Sequence, residues 1–117
     1  MNQQKPIPFN QFSPVGNELE YVNQVIKSGN ISGNGVFTKK CQQFFESRYG
    51  FKKTLLTSSC TDALEMAAIL CNIKAGDEVI MPSYTFVSTA NAFLLRGAKI
   101  IFADSEQSFP NIDADKI

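Results

Sequence analysis

An α/β fold with a mostly parallel sheet is the class this sequence predicts, and three observations predict it. Apolar runs of strand length occur at residues 54–57, 79–81 and 99–103, separated by segments with helical periodicity. Strands alternating with helices imply right-handed crossovers and parallel neighbours. The polar clusters at residues 57–62 and 83–85 follow the first two runs, at the strand ends where open α/β sheets build their sites.

Residues 1–13 read as an extended arm, because Pro6, Pro8 and Pro14 disfavour helix. A helix fits 16–27: Leu19, Val22, Val25 and Ile26 recur at helical spacing and Gly29 offers a left-handed cap. The loop 28–35 holds three glycines and is expected to be flexible or tightly turned. A second helix fits 37–49, with Cys41, Phe44, Phe45 and Tyr49 on one side and Gly50 closing it.

The strand at 54–57 leads into a helix at 62–71, apolar on most faces and therefore expected to be buried. A turn at 74–77 enters the strand at 79–81. A helix over 87–95 runs up to Gly97, and the strand at 99–103 ends at Asp104, a residue suited to capping the next turn. Residues 107–110 read as an ordinary turn.

At 117 residues the chain fits one small domain with a modest core. Eleven basic residues balance eleven acidic ones, with no basic block of the kind that tracks a nucleic-acid backbone, so nucleic acid is not an expected partner. Cys41, Cys60 and Cys71 are odd in number and lack CxxC spacing, and there is no histidine. A zinc site or Cys-His dyad is therefore not expected, and reduced thiols in the cytoplasm are. The start carries no apolar signal region, and the longest apolar run, 66–71, is too short to span a bilayer, so a soluble chain away from membranes is expected.

Chemistry concentrates in two segments. Thr57-Ser58-Ser59-Cys60-Thr61-Asp62 sets small hydroxyl residues at a helix start, where unpaired backbone N–H groups and the helix dipole can hold a phosphate. A plain helix N-cap explains the same residues. Cys60 has a rival reading as a reactive thiol, but a phosphatase-like loop needs an arginine about six residues on, and none occurs there. In the second segment, Phe86 lies just past a strand end and faces the crevice, although an aromatic seen alone is more often core. Ser83, Tyr84 and Ser88 beside it offer polar contacts or simply satisfy the turn.

These two segments, with Gly76-Asp77-Glu78-Val79-Ile80-Met81-Pro82, Leu95-Arg96-Gly97-Ala98-Lys99-Ile100 and Phe109-Pro110-Asn111-Ile112-Asp113, carry a resemblance. From about Ile7 onward the chain resembles the amino-terminal part of the DegT/DnrJ/EryC1/StrS sugar aminotransferases, which use pyridoxal 5'-phosphate (PLP). Within that family it is most similar to members that aminate a dTDP-4-keto-6-deoxyhexose for cell-surface polysaccharides such as lipopolysaccharide. The resemblance implies the large domain of a fold type I aminotransferase, an α/β/α sandwich of which residues 36–117 form the first part. Residues 1–35 would be an arm, a helix and a glycine-rich loop.

By the same resemblance, Cys60, Thr61 and the Asp62 amide bind the PLP phosphate, although family members often have glycine where Cys60 sits. Phe86 stacks on the pyridine ring, with Ser88 nearby. Ile31, Ser32, Gly33 and Tyr84 approach the sugar substrate, Ile31–Gly33 being equally compatible with a plain interhelical loop. Glutamate is the implied amino donor and a homodimer the implied assembly. None of the nine lysines sits in a motif matching the family's PLP-bound lysine, which lies downstream of these positions, so this chain is expected to be inactive by itself. Two other readings stay open: a PLP-dependent sugar dehydratase of the same family, with histidine in place of that lysine, and a non-catalytic remnant or binding module.

Overall fold

The computed structural model describes residues 6–117, so the first five residues of the expected arm lie outside it. Residues 6–17 form neither helix nor strand. The chain divides into two compact units, one ending at Thr54 and the other beginning at Leu55.

In the first unit, α1 spans Glu18–Ser28 and α2 spans Val36–Tyr49. Each ends on a left-handed glycine, Gly29 at φ 70° and Gly50 at φ 71°, as the sequence predicts. α1 starts two residues later than expected because Glu18 ties down what precedes it. Its carboxylate accepts from the backbone N–H groups of Val15 at 2.6 Å and Gly16 at 3.0 Å. Those bonds, Val15 first, hold the Glu18 carboxyl below its ordinary pKa.

A carboxylate with a lowered folded-state pKa contributes stability above its unfolded value, near pH 4.3, and loses it as pH falls through the folded value. Glu18→Gln is therefore expected to lower the urea midpoint at pH 7, with the gap to the parent closing below about pH 4. A gap unchanged down to pH 2.5 would refute that linkage.

The connecting loop is tightly turned rather than flexible. The Ser28 hydroxyl donates to Val25 O at 2.6 Å and accepts from Asn30 N, and the Ser32 hydroxyl donates to Asn30 Oδ1 at 2.8 Å. Its second left-handed residue is Asn34, at φ 59°, and not one of the loop's later glycines. Along α2, Phe45 stacks on Tyr49 and Tyr49 on Phe51, at 5.8 and 5.7 Å between ring centroids. After α2, the Glu46 carboxylate accepts from Thr54 N at 2.9 Å.

In the second unit, α3 spans Cys60–Leu70, β1 Glu78–Pro82, α4 Val87–Leu94 and β2 Lys99–Ala103. The two strands pair in parallel, from Glu78 beside Lys99 to Pro82 beside Ala103, through the crossover helix α4. The Lys99 ammonium meets Glu78 at 2.9 Å where the ladder opens. α4 packs on β2 and against α3. Small residues allow this approach: apart from Met81, the buried apolar side chains among the described residues are alanines, Ala68, Ala92, Ala98 and Ala103.

Three expectations are corrected here. Residues 54–57 are not a strand, because they have no ladder partner among the described residues. α3 starts at Cys60 rather than Asp62, because Ser59 is its N-cap and its hydroxyl accepts from Asp62 N. Nor is α3 buried: Ala68 alone is, while Ile69 and Leu70 are exposed, since α4 covers only one side of it.

The 74–77 turn forms as expected, with Asp77 N donating to Lys74 O and the Asp77 carboxylate accepting from Lys74 N. The 107–110 turn proves to be the tip of a small antiparallel excursion, bridged at Ser105 and Ile112 and followed by a 3-10 turn at Ala114–Lys116. Asp113 caps that turn, through Asp115 N. Asp104 instead accepts from its neighbour Ser105 N.

Candidate functional site

The start of α3 is built by a division of labour among hydroxyls. Thr57 Oγ1 donates to Ser59 O at 2.7 Å, which sets the turn, and Ser59 Oγ accepts from Asp62 N at 3.0 Å. Asp62 N is thus engaged in the helix cap. The Cys60 and Thr61 amides, one turn too early for intrahelical bonds, donate to no protein group among the described residues.

The Ser58 hydroxyl bonds the Asp62 carboxylate. That bond, with the Ser59 hydroxyl behind it, lowers the Asp62 pKa, so the side chain stays ionised beside the turn. The turn thus presents two unpaired amides and the Thr61 hydroxyl beside one carboxylate held by Ser58.

After β1, residues 83–85 turn sharply, with Thr85 N donating to Ser83 O at 3.1 Å. This delivers Phe86 to the N-cap position of α4 with extended backbone, φ −73° and ψ 143°. Phe86 is 74% exposed and Tyr84 75%. Thr85 Oγ1 bonds Thr89 Oγ1 across the first turn of α4, at 3.0 Å.

Of the predicted residues in this unit, the structure brings Thr61 and Ser88 together. Both line an open groove of about 430 Å³ between α3 and α4, with Glu65, Asn91, Leu94 and Leu95. Cys60, Asp62, Tyr84 and Phe86 do not line it. Glu65 and Asn91 escaped the sequence reading. Their signal was helical spacing, since Glu65 is four residues beyond Thr61 and Asn91 three beyond Ser88.

In the first unit, Ser32 lines a hollow of about 230 Å³ at the loop and the start of α2. Ile31 instead lines an apolar hollow of about 400 Å³ with Tyr21, Val22, Val25, Ile26 and Phe37. Gly33 lines neither.

Among the described residues no group of three His, Cys, Asp or Glu could hold a metal ion, and no helix is long and apolar enough to cross a membrane. Cys41, Cys60 and Cys71 are free thiols, all exposed.

Comparison with known proteins gives one family. A model of the DegT/DnrJ/EryC1/StrS aminotransferase family matches residues 14–117. GDP-perosamine synthase of Escherichia coli O157:H7 is 37% identical over 102 residues, covering 87% of this chain and 28% of its own length. Among solved structures, the aminotransferase TlmJ from Streptoalloteichus hindustanus superposes with a TM-score of 0.76 at 32% identity, covering 90% of this chain and 29% of that one. NtdA from Bacillus subtilis, with bound cofactor PMP, superposes with a TM-score of 0.77 at 30% identity, over 85% of this chain and 22% of its own. The chain thus spans less than a third of the length of each of these relatives.

Proposed function

Because this chain belongs to the DegT/DnrJ/EryC1/StrS aminotransferase family, we propose that it is the part of a nucleotide-sugar aminotransferase that holds the phosphate of PLP. The observation that carries the reading is the start of α3, where the Cys60 and Thr61 amides and the Thr61 hydroxyl have no protein partner among the described residues. These groups fit a phosphate, and the exposed ring of Phe86 fits a flat heteroaromatic ring. When bound, PLP supplies an electron sink through which an amino group moves between a donor and a keto sugar.

The chain's own residues supply position and charge. Ser59 keeps the α3 turn in place through Asp62 N, so that the Cys60 and Thr61 donors stay directed outward. Ser58 holds the Asp62 carboxylate, restraining the one negative group beside the anion. Phe86, fixed at the N-cap of α4, offers a stacking face, and Ser88 a hydroxyl two residues on. Tyr84 and the 31–33 loop are the proposed sugar contacts. The proposed assembly is a homodimer in the cytoplasm, and the proposed amino donor is glutamate.

The proposed acceptor is a nucleoside-diphosphate-linked 4-keto-6-deoxyhexose, with dTDP as the nucleotide on the motif resemblance described above. A GDP-linked acceptor is the second reading, favoured by the likeness to GDP-perosamine synthase.

A full-length protein carrying residues 1–117, given PLP, glutamate and each acceptor in turn, tests this. Amination of the dTDP sugar with formation of 2-oxoglutarate is expected; amination of the GDP sugar alone would select the second reading, and neither product would refute both. In the same protein Phe86→Ala is expected to weaken PLP retention about 2- to 13-fold, the equivalent of one lost stacking pair. Unchanged PLP dissociation would return Phe86 to a purely structural role.

A further inference from the structure

The chain's charge balances in sum but not in distribution. Residues 6–54 carry six cationic side chains, Lys27, Lys39, Lys40, Arg48, Lys52 and Lys53, against three carboxylates, whereas residues 55–117 carry four against eight. The 230 Å³ hollow lies in the basic unit, and its polar lining is Gln24, Ser28, Asn30, Ser32, Thr38 and Lys40, with no carboxylate.

Four of those side chains are already spent on their neighbours. Ser28, Asn30 and Ser32 hold the loop, and the Gln24 amide donates to Glu20 at 3.1 Å. Thr38 Oγ1 and Lys40 Nζ have no hydrogen-bond or ion-pair partner among the described residues. Lys40 is instead drawn over the hollow's rim by the Phe37 ring, its ammonium 5.2 Å from the ring centroid. At ~30 Å³ per water the space equals about eight waters, room for a phosphoryl pair rather than a whole nucleotide.

We infer that this hollow is a diphosphate subsite, in which Lys40 and Thr38 contact the phosphoryl oxygens of a nucleoside diphosphate while the nucleoside lies outside. The choice of nucleoside diphosphate rests on the nucleotide-sugar reading; the anion preference rests on the lining and the charge distribution. Lysine meets phosphate as a point charge and threonine adds a directed hydroxyl.

The test is titration of the isotope-labelled full-length protein carrying residues 1–117 with dTDP, GDP and sodium pyrophosphate, followed by amide NMR and calorimetry, with PLP titrated in parallel. Either nucleoside diphosphate is expected to bind at least as tightly as pyrophosphate and to shift the Ser32, Thr38 and Lys40 amides. That shift map requires no variant. Lys40→Gln is expected to weaken binding at least about tenfold, the scale of one hydrogen bond to a charged group, and Thr38→Val to weaken it less. Lys99→Gln, in the other unit, is expected to leave it unchanged.

Equal binding by Lys40→Gln, an equal loss in Lys99→Gln, or binding of pyrophosphate with exclusion of both nucleotides would overturn the subsite. A chain that binds PLP but no diphosphate loses this inference and keeps the cofactor role. One that binds diphosphate but no PLP does the reverse.

Discussion

Thr61→Val is expected to weaken PLP retention about 10- to 150-fold, the range of one hydrogen bond to a charged group. Valine keeps the branched shape at this half-buried position and deletes only the hydroxyl. The helix start should survive, because the cap is the Ser59 hydroxyl on Asp62 N and owes nothing to Thr61. Loss of PLP with an unchanged circular dichroism spectrum in the full-length protein is therefore the expected pair of results. If PLP dissociates as slowly as from the parent, Thr61 merely lines the α3–α4 groove and the phosphate is held elsewhere.

Gly97→Ala is expected to destabilise the second unit by about 2–5 kcal/mol, read as a fall in the urea midpoint. Two costs combine. Gly97 sits at φ 85°, where an L-residue loses about 1–2 kcal/mol. Its added Cβ would also meet Ala75 at 3.1 Å from Cβ, 3.2 Å from Cα and 3.3 Å from N, and overpacking typically costs about 1–3 kcal/mol. Gly76→Ala separates the two, because Gly76 has φ 96° with no atom within 4 Å of its added Cβ, so it carries the backbone cost alone. Equal destabilisation by both variants would show that the contact with Ala75 relaxes freely.

What the sequence made legible were features decided by neighbours in the chain. Gly29 and Gly50 end their helices because a left-handed residue there frees the last carbonyls for bonds made within one turn. β2 runs over the predicted residues because its apolar run is bounded by Gly97 and Asp104. The strand expected at 54–57 failed for the opposite reason: a ladder partner is a non-local fact that an apolar run does not carry. Burial of α3 was misjudged likewise, since the apolar character of Ile69 and Leu70 says nothing about what covers them. At the site, Thr61 and Ser88 were named for separate reasons and proved to share a groove, while Lys40 and Thr38 drew no notice. Their setting depends on how the loop folds back beside α1, which Ser28, Asn30 and Ser32 decide through hydroxyl and amide bonds that no periodicity records.

The Glu78–Lys99 pair, like every other pair of the β1–β2 ladder, joins residues 21 apart in the chain. Loop-closure entropy rises only with the logarithm of length, so closing this span costs little more than closing one half as long. At ribosomal speeds of about 5–20 residues per second, the span is synthesised in roughly one to four seconds, long compared with the microseconds of collapse and hairpin-scale pairing. The crossover unit is thus positioned to organise while its own chain is still being made.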